Sequence, residues 1–292
     1  MTVTATMVKA LRERTGAGMM ECKRALTEVG GDLDAAAEAL RKKGIAGADK
    51  KAGRIAAEGV VAIAFAADSH CGSIVEINCE TDFVAKDKTF REFADRVAQG
   101  VCEATPDTLE ALLAMPMGAS TVDGIRTELI AKIGENINIR RFVTYSGAKI
   151  GGYVHLGGRI GVLVDLDGGR NGLDRDIAMH IAAVKPMWLS ESDVPVEVLD
   201  KEREILEAQA TASGKPPEIV EKMIAGRISK YLKEITLLGQ DYVRDSDISV
   251  GELLEKESAT AKRFCRFEVG EGMEKKSDDF VAEVMAQALG EA

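Results

Sequence analysis

The side chains that most often carry catalysis or bind metals are few in this sequence and lie far apart. The 292 residues include three histidines and five cysteines. His70, His155 and His180 lack the Gly-x-Ser-x-Gly and His-Glu-x-x-His patterns that place nucleophiles or zinc ligands, and His180 lies on an apolar helix stripe, where we expect it to be packed and hydrogen-bonded. No Cys-x-x-Cys pair predicts a zinc ribbon or a redox centre. We therefore predict no enzyme, no cofactor and no metal site.

Two loops superficially suggest ligand binding. Residues 151–161 are glycine-rich, but they lack the Gly-Lys-Ser/Thr ending of a phosphate loop and precede a strand instead of following one. We predict a hairpin turn there. Residues 165–176 resemble a calcium loop, yet Arg170 stands where the sharp turn needs glycine, and the twelfth position is Asp176 instead of glutamate. Neither loop is predicted to bind its ligand.

The stretch that most strongly suggests a binding role is residues 76–86, which read EINCETDFVAK. Apolar and polar residues alternate over 75–80, which predicts a strand with one buried and one solvated face. Thr81 and Asp82 follow, and their side chains favour turns and helix starts. Phe83 then stands at a strand-to-helix corner. A phenylalanine is usually part of a core, so the pattern leaves two alternatives open: a buried ring or an outward-facing one.

Residues 76–86 resemble a signature of the translation elongation factor Ts family. Residues 11–26, which read LRERTGAGMMECKRAL, resemble the other signature of that family, near the N-terminus. Further similarity runs through residues 132–138, 159–164 and 267–272, so that the resemblance covers essentially the full chain. Members of the family are guanine-nucleotide exchange partners of elongation factor Tu.

The resemblance implies a partner and a mechanism. The chain would bind elongation factor Tu in its GDP-bound and nucleotide-free states and bind no nucleotide itself. Thr81, Asp82, Phe83 and Val84 would form the element that enters the nucleotide domain of the partner. Phe83 would wedge between two partner helices and disturb the Mg²⁺ site, which promotes GDP release.

Four further residues match positions at which the family touches its partner. Arg12, Met19 and Met20 would contact the nucleotide domain, and His155 its far domain. Adaptable methionine side chains suit a binding surface, and because these two are adjacent, one can face the core while the other is exposed. Leu156 gives the turn after His155 one residue more than the family pattern.

Composition narrows the class of protein. The net charge of −10 argues against a nucleic-acid binder that neutralises phosphates. The chain has no apolar run long enough to span a bilayer and no charged-then-apolar leader, and its scattered cysteines fit a reducing compartment. We expect a cytoplasmic protein that binds neither nucleic acid nor membrane.

The alternation of strand and helix signals predicts an α+β fold. Residues 1–52 are expected to form a three-helix module, which the resemblance describes as ubiquitin-associated-like. Two α+β core subdomains with antiparallel sheets would follow at 55–146 and 147–263. An antiparallel helical hairpin would be inserted at about 187–236, and a strand and docking helix would occupy 264–292.

Local signals place several elements within these regions. The third helix is expected to end at Gly44, and residues 50–54 to form a linker. A turn is predicted at 68–70 between two strands, and an amphipathic helix over 90–101. Ser277 is expected to cap the last helix.

A helical interaction adaptor is a rival interpretation of the same sequence. In that interpretation the N-terminal three-helix module would be the working end and the α+β part a spacer. Loss of the first 52 residues would abolish all binding by an adaptor, whereas an exchange factor would keep part of its binding.

Overall fold

The computed structural model of the chain describes residues 3–211 and 216–273. Within these ranges the fold is α+β, with two three-stranded antiparallel sheets and two short two-stranded hairpins, as the sequence predicted for the fold class. None of the helices described here combines the length and the apolar character needed to cross a membrane.

Three helices form the N-terminal part: α1 (Ala5–Thr15), α2 (Met19–Glu28) and α3 (Leu33–Lys51). The side chains of Thr4 and Asp32 accept hydrogen bonds from the first turns of α1 and α3, which satisfies amides that have no partner within the helix. The helices share a small core of Val8, Leu11, Cys22, Ala25, Leu26 and Ala36.

Helix α3 is longer than its sequence predicts. We expected it to end at Gly44, with a linker over 50–54, but it continues to Lys51. It packs against α7 (Val122–Ile133), and a Cβ atom at Gly44 would lie 3.3 Å from the Cβ of Ala131. The close packing that glycine permits offsets its poor helix propensity, which costs about 1 kcal/mol.

The first sheet has the order β1-β2-β5, with β1 (Glu58–Phe65), β2 (Cys71–Cys79) and β5 (Asn138–Ser146) antiparallel. The predicted turn between β1 and β2 is confirmed. Helix α5 (Lys88–Ala104) covers one face with the predicted apolar stripe. Between β2 and β5 the chain also forms α4 (Asp82–Ala85), α6 (Leu109–Ala114), β3 (Pro116–Met117), β4 (Ser120–Thr121) and α7.

The second sheet has the order β10-β7-β6. It comprises β6 (Ile150–His155), β7 (Ile160–Gly168) and β10 (Ala259–Glu268), and α8 (Leu173–Val184) packs on it. The glycine-rich stretch therefore forms a hairpin, as predicted. Strand β10 begins at Ala259, five residues before the predicted start at 264.

An antiparallel pair of helices separates α8 from β10, namely α9 (Val196–Thr211) and α10 (Pro217–Ile235). Smaller elements that the sequence did not predict follow: β8 (Asp241–Tyr242), β9 (Asp245–Ser249) and α11 (Val250–Lys256). The helix expected after Ser277 lies outside the described residues.

The two sheets pack face to face, which corrects the expectation for β2. We predicted that one face of this strand is solvated, but Glu76 and Asn78 on that face are buried. An apolar cluster lies between the sheets, and α5 covers the opposite face of β2. Because β2 is the central strand of a covered sheet, both of its faces are buried.

Glu76 is accommodated in this interior by four donors. Its carboxylate accepts from Arg141 Nε at 2.6 Å, Arg140 Nη1 at 3.0 Å, the amide of Gly270 at 2.8 Å and Asn78 Nδ2 at 3.2 Å. A buried carboxylate is tolerated only when it is paired in this way. Glu76, a polar residue of the alternating pattern, thus helps to join the two sheets instead of facing water.

His180 is buried and hydrogen-bonded, as predicted. Its Nδ1 accepts the amide hydrogen of Val243 at 3.2 Å, so the proton lies on Nε2, which donates to Gln240 Oε1 at 2.9 Å. Burial lowers the pKa of His180. The ring therefore has a structural role on the inner side of α8.

Candidate functional site

Phe83 lies on α4, the single-turn helix that follows β2. Thr81 caps this helix, since its hydroxyl oxygen accepts the amide hydrogen of Val84 at 3.4 Å. The side chain of Phe83 is 81% exposed. Of the two alternatives that the sequence left open, the ring faces outward. It is the most exposed large apolar side chain among the described residues.

The remaining residues of the corner hold that ring in place. Val84 and Ala85 are buried in the core beneath the first sheet, together with Phe90. Asp82 is exposed and pairs with Lys86 at 2.6 Å, and this hydrogen bond lowers the pKa of the Asp82 carboxyl group. Of the predicted four-residue element, Asp82 and Phe83 therefore face solvent, Thr81 is half-buried, and Val84 anchors the turn from below.

A glutamate from a distant part of the sequence fastens the corner. The Glu135 carboxylate accepts the amide hydrogens of Glu80 and Thr81, both at 3.0 Å, and the hydroxyl hydrogen of Thr81 at 2.6 Å. In return, Glu80 accepts the amide hydrogen of Asn136 at 2.6 Å. Charge-assisted hydrogen bonds of this kind are stronger than neutral ones. Sequence reasoning did not assign Glu135 to the site, although it lies in the family-like stretch 132–138.

Met19 and Met20 form a second exposed apolar surface at the start of α2. Their exposed fractions are 59% and 71%, and Arg12 on α1 is also exposed. The expectation that one methionine packs in the small core is wrong, because Cys22 and Ala25 occupy the inward positions of α2.

The turn that precedes α2 and the Phe83 corner both lie near the C-terminal end of α7. A Cβ atom at Gly16, in the turn that precedes α2, would lie 3.8 Å from Lys132 Cδ. Glu135, which holds the Phe83 corner, follows Lys132 by three residues. The segment that ends α7 thus lies beside the turn before α2 and holds the Phe83 corner.

His155 belongs to the second sheet, at the end of β6. It is half-buried, and its Nδ1 lies 3.0 Å from the hydroxyl oxygen of Tyr153. Leu156 follows in the turn to β7 with 72% of its side chain exposed and a φ of 48°. The turn therefore presents an apolar side chain next to His155 in the chain.

The corner offers no thiolate nucleophile. Burial raises the pKa of Cys79, the last residue of β2, to about 12, and the negative charge of Glu135 adds to the shift. The thiol stays protonated and donates to the carbonyl oxygen of Thr81 at 3.2 Å. What this surface presents is an exposed phenyl ring on a rigid support, which suits the recognition of an apolar groove.

Comparison with known proteins identifies the family. A family model described as Elongation factor TS matches residues 80–271. A protein named Elongation factor Ts from Thioalkalivibrio sulfidiphilus (strain HL-EbGR7) is 57% identical over 293 residues, which cover 99% of this chain and all of that protein. A protein of the same name from Alkalilimnicola ehrlichii (strain ATCC BAA-1101 / DSM 17681 / MLHE-1) is 56% identical over 99% of this chain and 100% of its own length. Another, from Methylococcus capsulatus (strain ATCC 33009 / NCIMB 11132 / Bath), is 58% identical over 98% of this chain and 99% of its own length. The chain therefore belongs to the elongation factor Ts family, which has its role in translation elongation.

Proposed function

We propose that this protein is a guanine-nucleotide exchange factor that binds elongation factor Tu and promotes release of GDP. The observation that carries the proposal is the exposed ring of Phe83 on a corner fastened by Glu135 and anchored by Val84. A side chain held in this way reaches its partner with little loss of conformational freedom.

In this proposal the phenyl ring enters between two helices of the nucleotide domain of elongation factor Tu. The insertion disturbs the groups that hold Mg²⁺, and the diphosphate is then bound less tightly. Burial of a phenylalanine side chain contributes about 1.5–3 kcal/mol, and about 1.4 kcal/mol corresponds to a tenfold change in an equilibrium constant. The ring can thus shift the nucleotide affinity by roughly one to two orders of magnitude.

Thermodynamic linkage makes the effects of the factor and of GDP on each other's binding reciprocal. If the factor weakens GDP binding by a given ratio, GDP weakens binding of the factor by the same ratio. The factor therefore binds its partner in two states, one with GDP and one without nucleotide. Incoming GTP can displace the factor from the nucleotide-free partner.

Other surfaces would complete the interface. Arg12, Met19 and Met20 would contact the nucleotide domain beside the wedge, and His155 would contact the far domain of the partner. The net charge of −10 favours a protein partner over nucleic acid. The proposed setting is the cytoplasm.

The direct test measures release of fluorescent GDP from elongation factor Tu after mixing with the wild-type chain and excess unlabelled GDP. The proposal expects acceleration that saturates with factor concentration, and no nucleotide retained or hydrolysed by the factor alone. Release at the unstimulated rate would refute it.

Deletion of residues 1–52 separates exchange from the adaptor function. The exposed methionines of α2 would be the working surface of an adaptor, so the deletion would abolish binding. We expect the truncated exchange factor to keep measurable binding and stimulation, because Phe83 and His155 remain. Folding of the truncated chain is checked by circular dichroism, since α3 packs on α7.

Replacement of Glu135 by glutamine is expected to slow stimulated release about three- to tenfold, because exchanging the charged acceptor for a neutral amide weakens these hydrogen bonds by about 0.7–1.4 kcal/mol. The amide group keeps the size of the side chain but turns an NH₂ donor or a weaker acceptor toward the amides of Glu80 and Thr81. Stopped-flow release kinetics measure the effect. Glu128→Gln, at an exposed position of α7, is the matched control. Equal rates for the two variants would show that the hydrogen bonds of Glu135 to Glu80 and Thr81 do not matter for exchange.

A further inference from the structure

A single arginine connects the Phe83 corner to the turn that carries His155 and Leu156. Arg91 lies in the first turns of α5 and donates from Nε to the carbonyl oxygen of Ala85 at 3.0 Å. From Nη2 it donates to the carbonyl oxygen of Gly157 at 2.8 Å. One side chain thus joins the C-terminal end of α4, which follows β2 of the first sheet, to the β6–β7 turn of the second sheet.

The geometry of this bridge suits arginine in particular. The planar guanidinium group presents several donors in a rigid fork, so it can hold two acceptors at a fixed spacing. Lysine has the same charge but only one nitrogen, on a flexible stem. The rest of α5 is rigid, since Phe90 and Phe93 on either side of Arg91 are buried.

The turn itself needs external support. Leu156 has a φ of 48°, a backbone conformation that is unfavourable for a residue with a side chain. The neighbouring carbonyl of Gly158 accepts the amide hydrogen of Val61 at 2.7 Å, which fixes the turn to β1 on one side. Arg91 fixes it on the other side, at Gly157. The exposed leucine is therefore held outward in a strained turn, as Phe83 is held outward on its corner.

We propose that Arg91 is a positioning residue that sets the separation between the Phe83 corner and the β6–β7 turn, so that one partner engages both. This inference rests on the proposed exchange function and adds to it a residue that need not touch the partner. Two surfaces on a rigid frame bind with a smaller loss of conformational entropy than two that move independently. Arg91 would thus act on the affinity for the partner, whereas Phe83 would act on the maximal rate of release.

The test is a titration of stimulated GDP release with Arg91→Ala and Arg91→Lys. We expect the alanine variant to raise the half-saturating concentration about fivefold, within what loss of charge-assisted hydrogen bonds produces, and to keep the maximal rate within about twofold. The lysine variant should fall between it and wild type, because its ammonium group can retain one of the two bonds. Arg96→Ala, at an exposed position of the same helix, is the matched control and should behave as wild type.

Hydrogen exchange provides a readout that does not depend on the partner. The amides of Gly158 and Arg159 donate to the carbonyl oxygen of His155, and they should exchange faster in the alanine variant. The amides between β1 and β2 should keep their protection, which separates local loosening from loss of fold. If Arg91→Ala fails to fold, the lysine variant tests the inference by the same two measurements, the half-saturating concentration and the exchange of the turn amides.

An unchanged half-saturating concentration with unchanged exchange at the turn would overturn the inference. A fall in the maximal rate with an unchanged half-saturating concentration would also overturn it. That result would mean that Arg91 supports only the effect of Phe83 on release and does not set the affinity for the partner. Failure of the wild-type chain to accelerate release would instead refute the proposed function, and the exchange measurement would still decide whether Arg91 holds the turn.

Discussion

Replacing Phe83 with alanine is expected to slow factor-stimulated release of GDP from elongation factor Tu at least tenfold while leaving the fold intact. The ring is 81% exposed, so its truncation removes few contacts within the chain. Surface substitutions of this kind usually change the free energy of unfolding by no more than about 0.5 kcal/mol. The loss therefore falls on the complex, where the buried ring contributes about 1.5–3 kcal/mol.

The measurement is stopped-flow release of fluorescent GDP at saturating factor, together with urea unfolding of each variant. Val243→Ala is the matched control, because Val243 is another exposed apolar residue and its hydrogen bond to His180 comes from the backbone amide, which the substitution keeps. The control should release GDP at the wild-type rate. An unchanged maximal rate for the Phe83 variant would exclude the wedge, whatever the control does.

Replacing Glu76 with alanine is expected to lower the free energy of unfolding by about 3–5 kcal/mol, the range for breaking a buried ion pair. The side chain is fully buried and is the shared acceptor for Arg140 and Arg141. Without it, Nη1 of Arg140, Nε of Arg141 and the amide of Gly270 lose their shared acceptor. The two arginines keep their bonds to Glu268 and Glu271. The cost is the desolvation of the three donors that lose their bonds to Glu76.

Urea unfolding monitored by circular dichroism measures this change. Glu92→Ala is the control, since the Lys88–Glu92 pair lies at the surface and such pairs contribute about 0–1 kcal/mol. High salt should weaken the surface pair and leave the Glu76 contribution nearly unchanged, because buried pairs are screened less. A loss below about 1 kcal/mol for Glu76→Ala would mean that the arginines find other acceptors.

Much of the fold follows from patterns within a few residues of each other. The apolar stripe of α5 predicted both the helix and its buried face, and the residues 68–70 predicted the turn between β1 and β2. These signals are reliable because helix and hairpin hydrogen bonds join residues that are close in sequence. In the site, the same local chemistry of Thr81 predicted the helix start at the corner. The partner-binding residues came from the resemblance to a family and not from any local pattern.

The alternating pattern of β2 shows where local reasoning stops. The sequence determined that Glu76 lies in a strand and that Phe83 follows this strand, but it did not determine what surrounds either residue. Glu76 is buried because a second sheet, completed by a strand nearly 200 residues later, covers that face of β2. The ring of Phe83 faces outward because Val84 fills the space below and Glu135 holds the backbone from 54 residues away.

The extension of α3 has the same origin, since Gly44 is compatible with a helix there only because α7 packs against it. Sequence alone thus determined most of the helices, their caps and the two hairpin turns, whose bonds are local. Tertiary structure alone decided which charged groups are buried, which apolar rings are exposed and which surfaces lie side by side. These outcomes depend on contacts between distant segments, and a free energy of burial has no value until both contacting surfaces are in place.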